Sequence, residues 1–135
     1  MKSLLRLLTI LSLFLVQIGC TPDIADDTKF NLYYYNALVV QGEDFYSTPS
    51  YIGTAPHSFV IYAITYEGQV YYNPKLDGEL TEKSHFYINP ENGAFFVNQT
   101  NSMKAGIYKV SIKCVSDGVQ YDYPDILTVK LNKAK

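Results

Sequence analysis

From residue 58 to residue 131 the chain keeps returning to one pattern. Short runs place Val, Ile, Leu, Phe or Tyr at every second position, and a Gly, Asn, Asp or Pro turn ends each run. A period of two puts alternate side chains on opposite faces of a strand, so one face can be buried and the other wetted. Beyond the first twenty residues no window carries the 3.6-residue stripe of an amphipathic helix. The chain has 13 Tyr and 7 Phe but no Trp, and aromatic and β-branched side chains suit a pleated, half-buried surface. The expectation is an all-β domain.

The strands can be placed by their turns. A first strand is predicted over Phe30 to Val40, with the rings of Tyr33-Tyr34-Tyr35 on alternating faces. Gly42 to Pro56 reads as an irregular crossing. Ser58 to Tyr66 is a strand with Phe59, Ile61 and Ala63 on one face and Val60, Tyr62 and Ile64 on the other, apolar enough on both to lie centrally. Glu67-Gly68 turns the chain, Val70-Tyr71-Tyr72 returns, and Asn73-Pro74 stops it. Leu76 to Lys83 is a polar excursion. His85 to Asn89 and Ala94 to Val97 are short strands joined by Pro90-Glu91-Asn92-Gly93, where proline presets φ and Asn-Gly tolerates positive φ. Ile107 to Val115 is a strand with Tyr108, Val110, Ile112 and Cys114 on one face, and Ser116-Asp117-Gly118 makes a hairpin turn. Val119 to Tyr123 and Ile126 to Leu131 follow, with an edge or bulge at Pro124. Seven or eight strands in about 100 residues is the count of an immunoglobulin-like sandwich.

The N-terminus has a different grammar. Lys2 and Arg6 precede an almost wholly apolar run from Leu7 to Ile18. The run is shorter than the ~20 residues a membrane span needs, and its flanks suit a secretory signal. Val16-Gln17-Ile18-Gly19-Cys20 resembles a bacterial lipobox, with Gln17 departing from the usual small or aliphatic residue. That resemblance implies cleavage before Cys20 and lipidation of Cys20, and several acyl chains make a stable anchor where one does not. Thr21, rather than Asp, follows the cysteine, which in such lipoproteins implies outer-membrane sorting. The acidic residues Asp23, Asp26 and Asp27 resemble the surface-export signals of Bacteroidetes lipoproteins. The expected organisation is a signal peptide at 1–19, a lipidated cysteine and flexible tether at 20–29, and one sandwich domain at 30–135.

Composition excludes several roles. Without residues 1–19 the chain has nine basic and thirteen acidic residues, a formal charge of −4. A mildly acidic chain with no basic cluster is no nucleic-acid binder. Cys114, with Cys20 acylated, has no intramolecular partner, so no disulfide is expected and the thiol reads as a small buried hydrophobe. His57 and His85 lack metal-ligand spacing, and no Gly-x-Ser-x-Gly elbow occurs. The expectation is a protein without cofactor or metal, and not an enzyme.

A longer pattern narrows the class. Phe86-Tyr87-Ile88-Asn89-Pro90-Glu91-Asn92-Gly93-Ala94-Phe95, then Ala105-Gly106-Ile107-Tyr108-Lys109-Val110-Ser111-Ile112, then Leu127-Thr128-Val129, resembles cadherin-like and bacterial immunoglobulin-like domains. The resemblance implies a sandwich core plugged by Phe86, Ile88 and Phe95, and a Tyr108 whose buried ring bonds nearby backbone. The acidic end motifs of calcium-binding cadherin repeats are absent, and Asp77, Glu79, Asp122 and Asp125 are scattered. Lipid-anchored domains of this kind resemble the N-terminal modules of surface glycan-uptake lipoproteins.

Sugar-binding faces use aromatic rings with polar tips, and Tyr33, Tyr35, Tyr71, Tyr72, Tyr121 and Tyr123 are the candidate platform. The expected function is a non-catalytic binding or interaction module at the cell envelope. It is anchored to the outer membrane through Cys20, on the periplasmic or the surface-exposed face. One alternative is a carbohydrate-binding accessory of a surface glycan-uptake system, which predicts an exposed row of coplanar tyrosines. The other is a spacer or partner subunit of an envelope protein complex, which predicts an apolar patch or an unpaired edge near Pro124.

Overall fold

The computed structural model describes residues 29–135. The expected signal peptide, Cys20 and most of the tether lie outside the described residues. Ten strands follow: β1 (Asn31–Tyr33), β2 (Ala37–Val40), β3 (Phe45–Ser47), β4 (Ser50–Ile52), β5 (His57–Tyr66), β6 (Gln69–Tyr72), β7 (Phe86–Ile88), β8 (Phe95–Val97), β9 (Gly106–Ser116) and β10 (Val119–Asn132). One layer is a five-stranded sheet in the order β2-β10-β9-β5-β6. The facing layer is the three-stranded sheet β3-β8-β7, and β1-β4 is a separate pair. All pairings are antiparallel except β2 with β10, which run parallel. The architecture is an immunoglobulin-like β-sandwich.

The core lies where the inward faces meet. On the larger sheet Tyr108, Val110, Ile112 and Cys114 of β9 are all buried, as the alternation predicts, with Leu127, Val129 and Leu131 of β10 beside them. The smaller layer supplies Phe86, Ile88, Phe95 and Val97. Each such side chain contributes roughly 1.5–3 kcal/mol through its burial. Phe86 meets Tyr108 across the layers with ring centroids 5.3 Å apart. The Tyr108 hydroxyl donates to the Lys104 carbonyl at 2.7 Å, the tyrosine-to-backbone bond that the resemblance implies.

Three features depart from the sequence reading. The expected single strand from Phe30 to Val40 is two strands in two sheets. Between them Tyr34, Tyr35 and Asn36 leave the ladder, and the Asn36 side-chain oxygen accepts from the Thr128 amide at 3.0 Å. An asparagine can replace a backbone acceptor in this way, so the chain changes sheets without orphaning the β10 amide. The predicted crossing from Gly42 to Pro56 contains β3 and β4. Thr48-Pro49 separates them, since proline cannot donate to a ladder. Finally, Ile64 lies on the buried face with Phe59 and Ile61, not opposite them. A register shift between Ile61 and Ala63 on the β5–β9 ladder inserts one residue and reverses the alternation.

The β10 reading is half kept. Val119–Tyr123 and Ile126–Leu131 are one strand, with the irregularity between Tyr123 and Leu127 that Pro124 announced. Asp125 sits there at φ 50°, and its amide donates to the buried Ser111 hydroxyl at 2.9 Å. β2 covers β10 only from Val129 to Asn132. The half before the bulge pairs with β9 alone among the described strands.

Candidate functional site

The three strands β3, β8 and β7 carry a row of three aromatic rings on the outer face of their sheet. Phe95 and Val97 point inward and are fully buried, so Phe96 between them points out. Tyr46 of β3 and Tyr87 of β7 stand opposite Phe96 in the two ladders. The rings follow one another across the strands, Tyr46 to Phe96 at 5.0 Å and Phe96 to Tyr87 at 5.9 Å. Their planes are tilted by 46° and 33°, and Tyr46 is 60% exposed. Cross-strand aromatic neighbours of this kind stabilise each other while presenting ring faces to solvent.

Tyr87 also opens onto a cleft of about 460 Å³. The cleft follows the side of β5 that β6 leaves uncovered, because β6 pairs only with Ile64–Tyr66. The Phe59 amide there is satisfied by the Pro90 carbonyl at 2.9 Å. Tyr62, Tyr72, Leu80 and Pro90 are among the walls, and Glu79 and Lys113 supply the charged groups. A one-turn helix at Pro74–Asp77 shapes the far side, started by Asn73, whose side chain accepts from the Lys75 amide. The Tyr72 hydroxyl donates to the Gly78 carbonyl at 2.7 Å and ties that loop to the sheet.

The six tyrosines expected to form a platform are dispersed. Tyr35 is 82% exposed and stands off the strands. Tyr71 lies edge-on against Phe86 and Tyr108. Tyr72 is buried and lines the cleft. Tyr33, Tyr121 and Tyr123 gather where β1 approaches the first half of β10, with the Leu32 backbone bonded to the Tyr123 hydroxyl. Of the residues that do form a row, Phe96 and Tyr87 fall on strands the sequence predicts, and Tyr46 falls in a segment it reads as an irregular crossing. Nothing local indicates that strands so far apart in the chain bring them together.

Burial controls the ionisation of several phenols. Tyr108 is pushed up to about 12 from the usual 10, chiefly by burial and then by Tyr71 and Tyr66. Tyr34, whose hydroxyl donates to the Gly93 carbonyl at 2.7 Å, is raised by burial and by Cys114. Tyr72 is raised by burial first and then by Asp77 and Glu79, and Tyr62 by burial and then Asp122. A phenol whose folded pKa lies above its unfolded value stabilises the fold fully below the unfolded pKa, and the contribution is lost as pH rises toward the folded one. Stability is therefore expected to fall between about pH 10 and pH 12. Ultraviolet titration of phenolate should show a late, cooperative fraction of tyrosines that ionise with unfolding; a single smooth transition near 10 would refute this.

Other candidate chemistry is structural. Cys114 is fully buried and burial raises its thiol pKa, which disfavours the reactive thiolate. His85 bonds the Asn98 carbonyl through Nδ1 at 3.0 Å. Among the described residues no three His, Cys, Asp or Glu side chains converge as metal ligands.

The family model for the N-terminal immunoglobulin-like domain of surface glycan binding protein BT4661-like proteins matches residues 18–135. The chain belongs to this family. A solved structure of BT4661, a SusE-like surface-located polysaccharide binding protein from the Bacteroides thetaiotaomicron heparin utilisation locus, is 26% identical with a TM-score of 0.61. The alignment covers 75% of this BT4661-like chain and 16% of that one, so the chain spans about a sixth of that relative's length. A chimeric titin Z1Z2 is 11% identical, with 78% and 94% of the two chains covered and a TM-score of 0.44. The twitchin kinase region from C. elegans is 15% identical, with 78% and 16% covered and a TM-score of 0.42. No curated protein matches the chain.

Proposed function

We propose that the chain is a non-catalytic glycan-binding module at a bacterial cell surface, held to the outer membrane by lipid on Cys20. The observation that carries this reading is the match of residues 18–135 to the N-terminal domain of surface glycan binding proteins. It favours the carbohydrate-binding alternative over a generic interaction module, and the polysaccharide-binding relative points the same way. The matched span begins at residue 18 and so takes in Cys20. Glycan contact falls on the aromatic row Tyr46, Phe96 and Tyr87 and the adjoining cleft, where ring faces and hydrogen-bonding tips lie together. Tyr33, Tyr121 and Tyr123 form a second, smaller aromatic group.

Two measurements test the two halves of the proposal. A glycan array probed with the full-length chain in detergent should show reproducible binding to at least one polysaccharide class. A blank array from a folded sample would refute glycan binding. Separately, Cys20→Ala should move the protein out of the outer-membrane fraction, and a variant that still fractionates with that membrane would refute the anchor.

A further inference from the structure

The charges on the strands of the aromatic track and in the walls of its cleft limit what the track can hold. Residues 29–135 contain no arginine. Sulfate and carboxylate groups are recognised most strongly by the planar, two-pronged guanidinium, and otherwise by clustered ammonium groups. Lys113 is the one cation lining the cleft; Glu79 is its counterpart in the walls, and Asp122 stands directly opposite Lys113 in the β9–β10 ladder. Lys109 and Lys130 belong to the five-stranded sheet, on strands that do not carry the aromatic row. On β3, β8 and β7 themselves there is no charged residue at all.

Resting on the glycan-binding reading, we infer that the ligand is an uncharged polysaccharide, laid along Tyr46, Phe96 and Tyr87 with one unit entering the cleft beside Tyr62, Tyr72 and Leu80. The cleft volume of about 460 Å³ falls inside the range of roughly 300–1,000 Å³ typical of small-ligand sites. The apolar faces of neutral sugar rings pack on the aromatic rings, and their hydroxyls exchange hydrogen bonds with Glu79, Lys113 and the phenol tips. A chain bearing a sulfate or carboxylate on each repeat would desolvate those charges against strands that carry no cation and a cleft lined by one lysine. The BT4661 relative comes from a heparin utilisation locus, and heparin is a polyanion. This chain therefore differs in ligand class from what that locus handles.

The test is quantitative binding of the full-length chain in detergent to two panels: amylopectin, mannan and xylan as uncharged chains, and heparin, chondroitin sulfate and polygalacturonate as anionic ones. The expected result is binding to an uncharged chain that changes less than twofold between 50 and 300 mM salt, against the steep loss that screening imposes on ionic contacts, about 10 Å in Debye length at 0.1 M. Tyr46→Ala, at an exposed position, should weaken it about tenfold, the scale of one lost aromatic stacking contact, with an unchanged melting curve. Tyr87→Ser should do the same. Tighter binding to an anionic panel member, falling with salt, overturns the inference while leaving glycan binding intact. Binding to an uncharged chain that both variants retain overturns the assignment of the track. No binding to either panel by a folded protein overturns the glycan reading itself.

Discussion

Phe95→Ala is expected to lower the unfolding free energy by about 3–5 kcal/mol, the cost of truncating a fully enclosed phenylalanine and leaving a cavity. Phe95 has no exposed surface. Its ring lies 6.1 Å from that of Phe86, which in turn meets Tyr108 on the opposite layer. The truncation thus opens a gap in the line of rings that joins the two layers. Domains of this size are stable by about 5–15 kcal/mol, so the variant loses about a fifth of its stability or more. The melting temperature should drop on the order of 20 °C. Calorimetry checks this directly, and a drop of only a few degrees would mean that the second layer does not pack as described. The same variant carries a second reading, because Phe96 is the next residue and Tyr46 stands opposite it on the outer face. If Tyr46→Ala alters binding without altering the melt, while Phe95→Ala alters the melt, the outer and inner faces of the three-stranded sheet β3-β8-β7 are separated experimentally.

Gly93→Ala is the second large effect, expected at about 2–4 kcal/mol from two independent causes. Gly93 has φ +76°, a region that L-residues enter at a cost, and a Cβ built there would stand 2.7 Å from the Phe59 ring. Phe59 is 2% exposed and enclosed by the core, so it has little room to retreat. The backbone at this corner is held as well: the Gly93 amide donates to the Asn89 carbonyl at 2.9 Å, and its carbonyl receives the Tyr34 hydroxyl. Gly118→Ala is the control. It has nearly the same angle, φ +74°, but nothing within 4 Å of the added methyl, so only the conformational cost of about 1–2 kcal/mol applies. Chemical denaturation of both variants separates strain from crowding. Equal losses would show that the approach to Phe59 contributes nothing, whereas partial recovery in Gly93→Ala with Phe59→Leu would confirm it.

The sequence reading expected an exposed row of coplanar tyrosines, whereas the row in the structure joins two tyrosines and a phenylalanine whose planes are tilted by 46° and 33°. The sequence reading selected tyrosines by their abundance and by doublets such as Tyr71-Tyr72. The structure assembles Tyr46 from a segment read as an irregular crossing, Phe96 from a strand noted for its core residues, and Tyr87 between two core plugs. Tyr72 is buried instead, and Tyr71, still 40% exposed, lies edge-on against Phe86 and Tyr108, beside a register shift at Ile64–Thr65. Doublets are weak guides because a single inserted residue changes which face a side chain takes.

The sequence by itself determined the strands whose two faces differ in polarity. β7, β8, β9 and the second half of β10 could be drawn with their buried sides correct, since period-two alternation is a local property and their turns carry Asn-Gly or Asp-Gly. It also determined the turn at Pro90–Gly93, the buried state of Cys114, and the immunoglobulin-like class. Only the tertiary structure decided the rest. The move between sheets at Asn36, the two short strands around Pro49, the reversal at Ile61–Ala63 and the row of Tyr46, Phe96 and Tyr87 all depend on which distant strand lies alongside. Pairing partners are chosen by packing the whole core at once, and a local pattern of polar and apolar residues has no means of recording that choice.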